Sequence, residues 1–272
     1  MKKKFLYSTL GIVALVALIF GMVRFISSGS TDNSNTTNKK TVHILTYANW
    51  NPFEYVKKGK IVGFDIDLIK LLSKNAGYNY TIKNVSWDSM FTQLQNKSAD
   101  LGIAGITVTS DREKTYDFSN TYFVSRQSIV TKINSNINSA SDLKGKKVSV
   151  QTGSTGQEAA EKIFGKNSPN ILKSSSGVTD QMVMHNQVVA AIGDDTSNKK
   201  FVQANPNSGL IVVQDDKKFS PEYFGIMFPK GSKYRNIYNK ALKKAIKDGS
   251  YTKIYKKWFG IKPDVSALKN TD

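Results

Sequence analysis

Ala104-Gly105-Ile106-Thr107-Val108-Thr109-Ser110-Asp111-Arg112-Glu113-Lys114-Thr115-Tyr116-Asp117-Phe118-Ser119-Asn120-Thr121-Tyr122-Phe123 is the stretch whose reading decides the rest of the chain. A strand is predicted over Asp100 to Ala104. It ends at Gly105, where a residue without a Cβ lets a ligand approach backbone amides. Ser110, followed three residues later by Glu113, has the capping-box spacing, so a short helix is predicted to start near Asp111 with Arg112 in its first turn. First helical turns favour acidic side chains, because the free amides and the helix dipole are already positive there. A guanidinium in that place makes chemical sense when an anion, a carboxylate or a phosphate, sits between it and main-chain donors. The alternative is a solvated surface arginine.

Outward from this stretch the pattern alternates strand and helix. Strands are predicted at Val42 to Tyr47, Tyr78 to Lys83, Lys147 to Val150, near Ile171, at Val188 to Gly193 and at Phe224 to Phe228. Helices are predicted at Asp65 to Asn75, Trp87 to Gln95, after Thr155, near Gln181, at Tyr234 to Asp248 and at Tyr251 to Trp258, with Gly249 and Gly260 as C-terminal caps of the last two. Such alternation implies parallel sheets covered by helices. In open sheets of this kind ligands bind beyond the carboxyl ends of strands. Trp50, Trp87, Gly105 to Thr107, Gly153-Ser154-Thr155 and Asp195 all fall at such positions. Ser154 and Asp195 are also good helix N-caps, which is their plain structural reading.

The first residues address the compartment. Lys2, Lys3 and Lys4 precede an apolar run from Phe5 to Val23, long enough to span a bilayer as a helix. The charge balance favours an N-terminus inside the cell, so residues 1–26 are expected to be a signal-anchor, with a cleaved signal peptide as the alternative. Residues 27–40, almost all Ser, Thr, Asn, Gly, Asp and Lys, read as a flexible linker. The chain has no cysteine, which rules out a lipidated cysteine anchor and any disulfide framework. The net charge of +18 falls to about +13 beyond residue 40, where 33 basic and 20 acidic residues remain. The lysines are scattered and no arginine-rich tract appears, so nucleic acid is not an expected partner.

Between Val42 and Gly260 the chain carries ordered blocks: Asn51-Pro52-Phe53-Glu54, Gly63-Phe64-Asp65-Ile66-Asp67-Leu68, Trp87-Asp88 with Leu94-Gln95, and Ala104-Gly105-Ile106-Thr107 with Arg112. They continue through Asp117-Phe118-Ser119 with Tyr122, Asp142-Leu143-Lys144-Gly145-Lys146, Gly153-Ser154-Thr155, Asp195-Thr196 and Lys257-Trp258-Phe259-Gly260. In this series the chain resembles the amino-acid-binding family of bacterial solute-binding proteins, the extracytoplasmic receptors of ABC importers. The resemblance implies an α/β fold of two lobes, the type II periplasmic-binding-protein fold, with a ligand cleft that closes about a hinge. Lobe 1 is expected to comprise residues 41–124 plus 222–272 and lobe 2 residues 125–221, with crossings near Tyr122 to Gln127 and Ser220 to Phe224.

The same resemblance assigns roles. Arg112 would clamp a ligand α-carboxylate, assisted by Thr107 and the Ser154 and Thr155 backbone, and Asp195 would take the α-ammonium, with Asp194 beside it as the other candidate. Trp50 and Trp87 would flank the ligand side chain, and Tyr47, Ala104 and Gly105 complete the expected site. Tyr47 stands where binders of basic amino acids and of glutamine often have an acid. A polar uncharged amino acid such as glutamine, or cystine, is therefore expected to bind better than lysine, unless Glu54 or Asp194 reaches the pocket. The implied partners are the free amino acid and the permease and ATPase subunits of an importer, with the protein a monomer on the outer face of the membrane and without a cofactor. The competing reading is a dehydratase of small carboxylates on the same scaffold, for which only Asp194 or Glu222 offers a general acid.

Other constellations have plainer readings. Asp65 and Asp67 have the spacing of a calcium-loop fragment without its remaining ligands, so helix capping and dipole roles are expected. His43 and His185 lack a metal-ligand spacing, and Ser154 lacks a neighbouring base.

Overall fold

The computed structural model describes residues 40–269, so the apolar run and nearly all of the linker lie outside the described residues. The chain opens with β1 (Thr41–Thr46), in which Val42 and Ile44 face the core and Thr41 and His43 face solvent. A small antiparallel sheet follows, β2 (Asn49–Trp50), β3 (Glu54–Lys57) and β4 (Lys60–Val62). It leads into α1 (Phe64–Ala76), whose Phe64, Ile66, Leu68, Ile69 and Leu72 are buried. Gly63 precedes this helix at φ 143, and a Cβ there would overlap the Phe53 carbonyl, so only glycine lets the helix start this close to β3. Then come β5 (Asn79–Asn84), α2 (Trp87–Gln95), β6 (Leu101–Gly102), α3 (Ser110–Thr115) and β7 (Tyr116–Phe118).

β8 (Phe123–Lys132) carries the chain into a second sheet with β9 (Val148–Gln151), β10 (Ile171–Ser174), β11 (Ala190–Asp194) and β12 (Leu210–Val213). That sheet, ordered β10-β9-β11-β8-β12, is packed by α4 (Thr155–Phe164), α5 (Thr179–Met184) and α6 (Asp195–Ala204). β13 (Pro221–Phe224) returns beside the first half of β8, and β14 (Met227–Pro229) joins the first sheet, completing the order β5-β1-β6-β14-β7. α7 (Tyr234–Lys247) and α8 (Ser250–Phe259) then pack on α1.

The molecule is therefore two lobes, each a sheet with its own helices, joined by β8 and β13. β8 is shared: Phe123 to Arg126 pairs with β13, and Gln127 to Lys132 pairs with β11 and β12. The roots of both crossing strands are fixed by aromatic packing, Phe123 stacked on Phe224 at 5.6 Å, Phe53 edge-on to both, and Phe259 against Phe123 at 5.2 Å. Rings of this size bury the most apolar area per residue, so the connection between the lobes starts from a rigid base.

Four expectations need correction. The strand over Asp100 to Ala104 is only two residues long. The apolar run Phe224 to Phe228 is two strands in different sheets. It divides at Gly225 and Ile226, whose amides are taken by the Ile106 carbonyl and the Ser119 hydroxyl. Gly249 lies one residue past the C-cap Asp248 and starts α8 in the left-handed conformation, φ 78, whereas Gly260 is a C-cap as expected. Asp65 and Asp67 make tertiary ties. Asp65 accepts from the Gly105 amide at 2.8 Å and the Tyr122 hydroxyl at 2.7 Å, and Asp67 from Trp258 Nε1 at 2.8 Å and Lys257 Nζ at 2.6 Å.

Candidate binding site

Thr109, not Ser110, caps α3. Its hydroxyl accepts from the Arg112 amide at 3.2 Å, and Ser110 is the first helical residue. Either residue type serves as a cap, and the capping-box spacing picks the wrong one by one position. The consequence for Arg112 is unchanged. Its guanidinium donates through Nη1 to the Thr107 carbonyl at 2.8 Å and through Nη2 to the Gly153 carbonyl of the opposite lobe at 3.1 Å. It also lies over the rings of Trp87 and Phe91, at 5.6 and 5.4 Å. Burial pulls its pKa down from the ordinary arginine range, and Glu158, Glu222 and Asp194 pull the other way. A guanidinium has five donors, so three remain for an anion.

Opposite it, Ser154 is the N-cap of α4, accepting from the Gln157 amide at 3.2 Å and donating to the Gln151 carbonyl at 2.8 Å. The hydroxyl is thus used for capping, while the first-turn amides at Thr155 and Gly156 have no carbonyl four residues back within the helix and offer a second set of anion donors. Thr107 and Thr155 meet through Glu222. Both hydroxyls donate to its Oε2, at 2.9 and 2.7 Å, and Gln127 Nε2 donates to its Oε1 at 3.2 Å. Each hydroxyl has one proton, so a ligand meets these threonines as acceptors or through their backbone.

The two tryptophans differ in surroundings. Trp50 stacks on Phe53 at 4.5 Å and lies so close over Gly105 that a Cβ there would overlap its ring. Gly105, at φ 53, therefore makes room for Trp50. Its amide, expected to face a ligand, is committed to Asp65. Trp87 packs between Tyr47 and Phe91 and donates to the Gly153 carbonyl at 3.4 Å.

Nine of the ten expected residues, Tyr47, Trp50, Trp87, Ala104, Gly105, Thr107, Arg112, Ser154 and Thr155, line one pocket between the lobes. Asp195 does not. It faces a different hollow, paired with Lys199 at 2.7 Å, and Asp194 takes its place in the pocket. Asp194 is the last residue of β11, and Asp195 opens α6 in the next position. Asp194 accepts from the Ser125 hydroxyl at 2.7 Å, and burial, with Glu222 and Asp195 adding like charge, pushes its pKa well above 3.8. Glu54 and Gln151, absent from the expected set, also line the pocket. Glu54 is fully buried; no nitrogen or hydroxyl donates to its oxygens among the described residues, and it lies against the buried carboxyl of Asp65. Burial, then the charges of Asp65 and Asp194, raises its pKa well above 4.5. The pocket itself is small, about 30 Å³, and shares Trp50, Gln151, Ser154 and Asp194 with an adjoining interlobe chamber of about 280 Å³.

The model of the bacterial extracellular solute-binding proteins, family 3, matches residues 42–261. The chain belongs to this family. The arginine-binding extracellular protein ArtP of Bacillus subtilis is 34% identical over 250 residues, covering 90% of this chain and 97% of its own. Among solved structures, the arginine-, lysine-, histidine-binding protein ArtJ from Geobacillus stearothermophilus superposes with a TM-score of 0.82 at 46% identity, covering 84% of this chain and 98% of its own. An ancestral arginine-binding protein, solved bound to arginine and bound to glutamine, is 39% identical in both forms, with TM-scores of 0.77 and 0.76 and coverage of 82% and 99%. The chain has the two-lobed α/β fold of the type II periplasmic binding proteins and is a solute-binding protein rather than an enzyme. The geometry agrees with that. Glu222, offered as a general acid, accepts three hydrogen bonds from neighbouring donors and serves as a structural acceptor. The solute-binding protein contains no helix long and apolar enough to cross a membrane among the described residues.

Proposed function

We propose that this protein captures a basic amino acid, arginine foremost, between its lobes and delivers it to the permease of an ABC importer. The observation that carries the reading is the charge inventory of the pocket: one guanidinium, Arg112, against two carboxyl groups, the fully buried Glu54 and the half-buried Asp194. An α-amino acid satisfies Arg112 with its carboxylate and one of the acids with its ammonium. The second acid remains, and a buried charge without a counter-ion is strongly disfavoured, so a ligand with one further positive charge fits best. This reverses the expectation drawn from Tyr47, whose stated exception was that Glu54 or Asp194 reaches the pocket. The names of ArtP, of ArtJ and of the ancestral protein support the same class.

In this reading the α-carboxylate lies between Arg112 and the first-turn amides of α4, and Asp194 holds the α-ammonium. Residues 41–124 plus 222–272 form one lobe and residues 125–221 the other, with β8 and β13 as the hinge. A second reading, an uncharged polar ligand such as glutamine, is favoured by one observation: burial keeps Glu54 towards its protonated form, in which it hydrogen-bonds an amide without a net charge. Calorimetric titration of the full chain with arginine, lysine, histidine, glutamine and cystine decides between them. Arginine is expected to bind tightest. Glutamine or cystine binding more tightly than arginine and lysine overturns the basic-ligand reading in favour of the second.

A further inference from the structure

We infer that the outer face of α7 and α8 docks on the anionic lipid headgroups of a membrane surface. The inference is independent of which ligand the cleft takes. Positive charge is unevenly placed in the chain: residues 230–262 hold eleven basic side chains and one acid, Asp248. The rest of the chain beyond residue 40 is close to balanced, with 22 basic and 19 acidic residues. Most of the net charge there belongs to two helices and their flanks. In α7, Lys240, Lys243, Lys244 and Lys247 follow at the spacings of a single helical face, and all are exposed, whereas Tyr238, Ala241, Leu242 and Ala245 on the opposite face are buried. In α8, the exposed Lys253, Lys256 and Lys257 repeat the spacing, with Tyr251 buried.

Neighbouring acids do not neutralise this face. Asp67 pairs with Lys257, Asp117 pairs with Lys230, and Asp248 accepts from the Ser250 amide and hydroxyl. The other nine basic side chains form no ion pair among the described residues. Nor does the fold itself call for the arrangement. Lysines three and four positions apart repel one another and weaken the helix that carries them. The helix dipole accounts for Lys244, Lys247, Lys256 and Lys257 in the last turns, but not for Lys240, Lys243 and Lys253, nor for first turns without an acid.

The composition of the face selects its partner. Ten of the eleven basic residues are lysines, hydrated point charges on flexible stems, where a site for single phosphates would use guanidinium forks. The large rings of the two helices, Tyr234, Tyr238, Tyr251, Tyr255, Trp258 and Phe259, pack on the core and leave none to stack on a nucleic-acid base. A diffuse positive surface without stacking rings matches the diffuse negative potential of anionic headgroups, to which each nearby lysine adds attraction. The chain enters the first lobe at Thr41, so the stretch before it, with the apolar run expected to span a bilayer, leads into the lobe that carries the face. Docking there holds the first lobe and leaves the second free to close about β8 and β13.

Because the chain has no cysteine, one introduced thiol carries a single fluorescent label. The test places the full chain in lipid nanodiscs whose headgroups bear a quencher. The label sits at Asn236→Cys, exposed and four residues before Lys240, or at Asn207→Cys on the second lobe as the control. Quenching at position 236 is expected to be stronger in discs of equal parts phosphatidylglycerol and phosphatidylcholine than in phosphatidylcholine alone. It should fall back in about 0.5 M salt, where the screening length shrinks to about 4 Å. Lys240→Gln, Lys243→Gln, Lys244→Gln and Lys247→Gln combined are expected to lower the ratio of docked to undocked molecules by at least about tenfold. The melting temperature should be no lower and the amino-acid affinity unchanged, since none of these side chains touches the cleft. Quenching that ignores phosphatidylglycerol or the four substitutions, or that is equal at the two labels, overturns the inference. A label that responds to soluble polyphosphate or single-stranded DNA and not to the lipid overturns it as well, in favour of a free polyanion.

Discussion

At the scale of single residues, the proposed site rests on Arg112. Its guanidinium is half-buried, tied to a carbonyl in each lobe and left with donors for an anion. Arg112→Ala is expected to lower amino-acid affinity by about 30- to several-thousand-fold, because removing one partner of a desolvated charge pair costs about 2–5 kcal/mol. The melting temperature should hold to within a few degrees, and near-normal affinity by calorimetry would remove Arg112 from the site. Arg112 was legible in the sequence because it is a cation in a first helical turn, a place that chemistry otherwise gives to acids. Glu54 and Asp194 were not settled in the same way. Nothing in Asn51-Pro52-Phe53-Glu54 says that the acid is buried, and Asp194 and Asp195 are neighbours whose side chains diverge where a strand turns into a helix. Their burial has a measurable consequence. Both Glu54 and Asp194 have pKa values raised well above the ordinary carboxylate range, chiefly by desolvation. A cationic ligand favours the ionised form, so protons held by these acids must leave on binding. Arginine affinity is therefore expected to climb with pH above the ordinary carboxylate range, with proton release visible as a dependence of binding enthalpy on buffer, while glutamine affinity changes less. A flat arginine profile above that range contradicts the assignment.

At the scale of elements, most helices and the strands β1, β5, β6, β9, β10 and β11 could be read within a residue or two, because their apolar periods and capping residues agree with their tertiary roles, whereas β2, β3, β4, β7, β8 and β12 were not expected. α2 falls at Trp87 to Gln95 as expected, and β1 and α1 within two residues. Two misreadings share one cause. Phe224 to Phe228 is apolar throughout, and no local signal says that its two halves belong to different sheets; that depends on the amide partners Ile106 and Ser119, far away in sequence. Gly105 is the second example, a glycine expected to open a path for a ligand that instead admits the Trp50 ring. Gly105→Ala tests this. A methyl group there displaces Trp50 and forces a side-chain-bearing residue to φ 53, at an expected cost of about 2–4 kcal/mol from strain and overpacking together. Gly145→Ala is the control, at φ 75 with nothing within 4 Å of the added methyl, and should cost only about 1–2 kcal/mol. Equal losses of melting temperature in the two variants would show that Trp50 yields freely. The expected result is a larger loss at Gly105, accompanied by weaker ligand binding, since the displaced ring moves into the cleft.

At the scale of the whole molecule, the question is what holds the lobes together around a ligand. β8 and β13 allow movement, and Glu222 on β13 is placed to resist it. Its carboxylate takes Thr107 from the first lobe, and Thr155 at the start of α4 and Gln127 on β8 from the second, so one acceptor ties the two lobes. Thr107 and Thr155 can both reach it only while the cleft is shut. Hydrogen bonds to a charged acceptor contribute about 1.5–3 kcal/mol each when fully formed, and half-exposed ones less. A few kilocalories in the closed form alone are enough to matter, because apparent affinity scales with the fraction of molecules that can adopt the bound conformation. Glu222→Ala is therefore expected to weaken amino-acid binding by about tenfold or more, almost entirely through faster dissociation. The encounter with the open cleft does not involve these bonds, so the association rate should change by less than about threefold. Glu222→Gln keeps one acceptor oxygen and should fall between the two. Stopped-flow fluorescence, with the cleft tryptophans Trp50 and Trp87 as reporters, separates the rates. Loss of affinity carried by the association rate would mean that Glu222 shapes the open form; an unchanged dissociation rate would show that the lobes are held by the ligand and Arg112 without it.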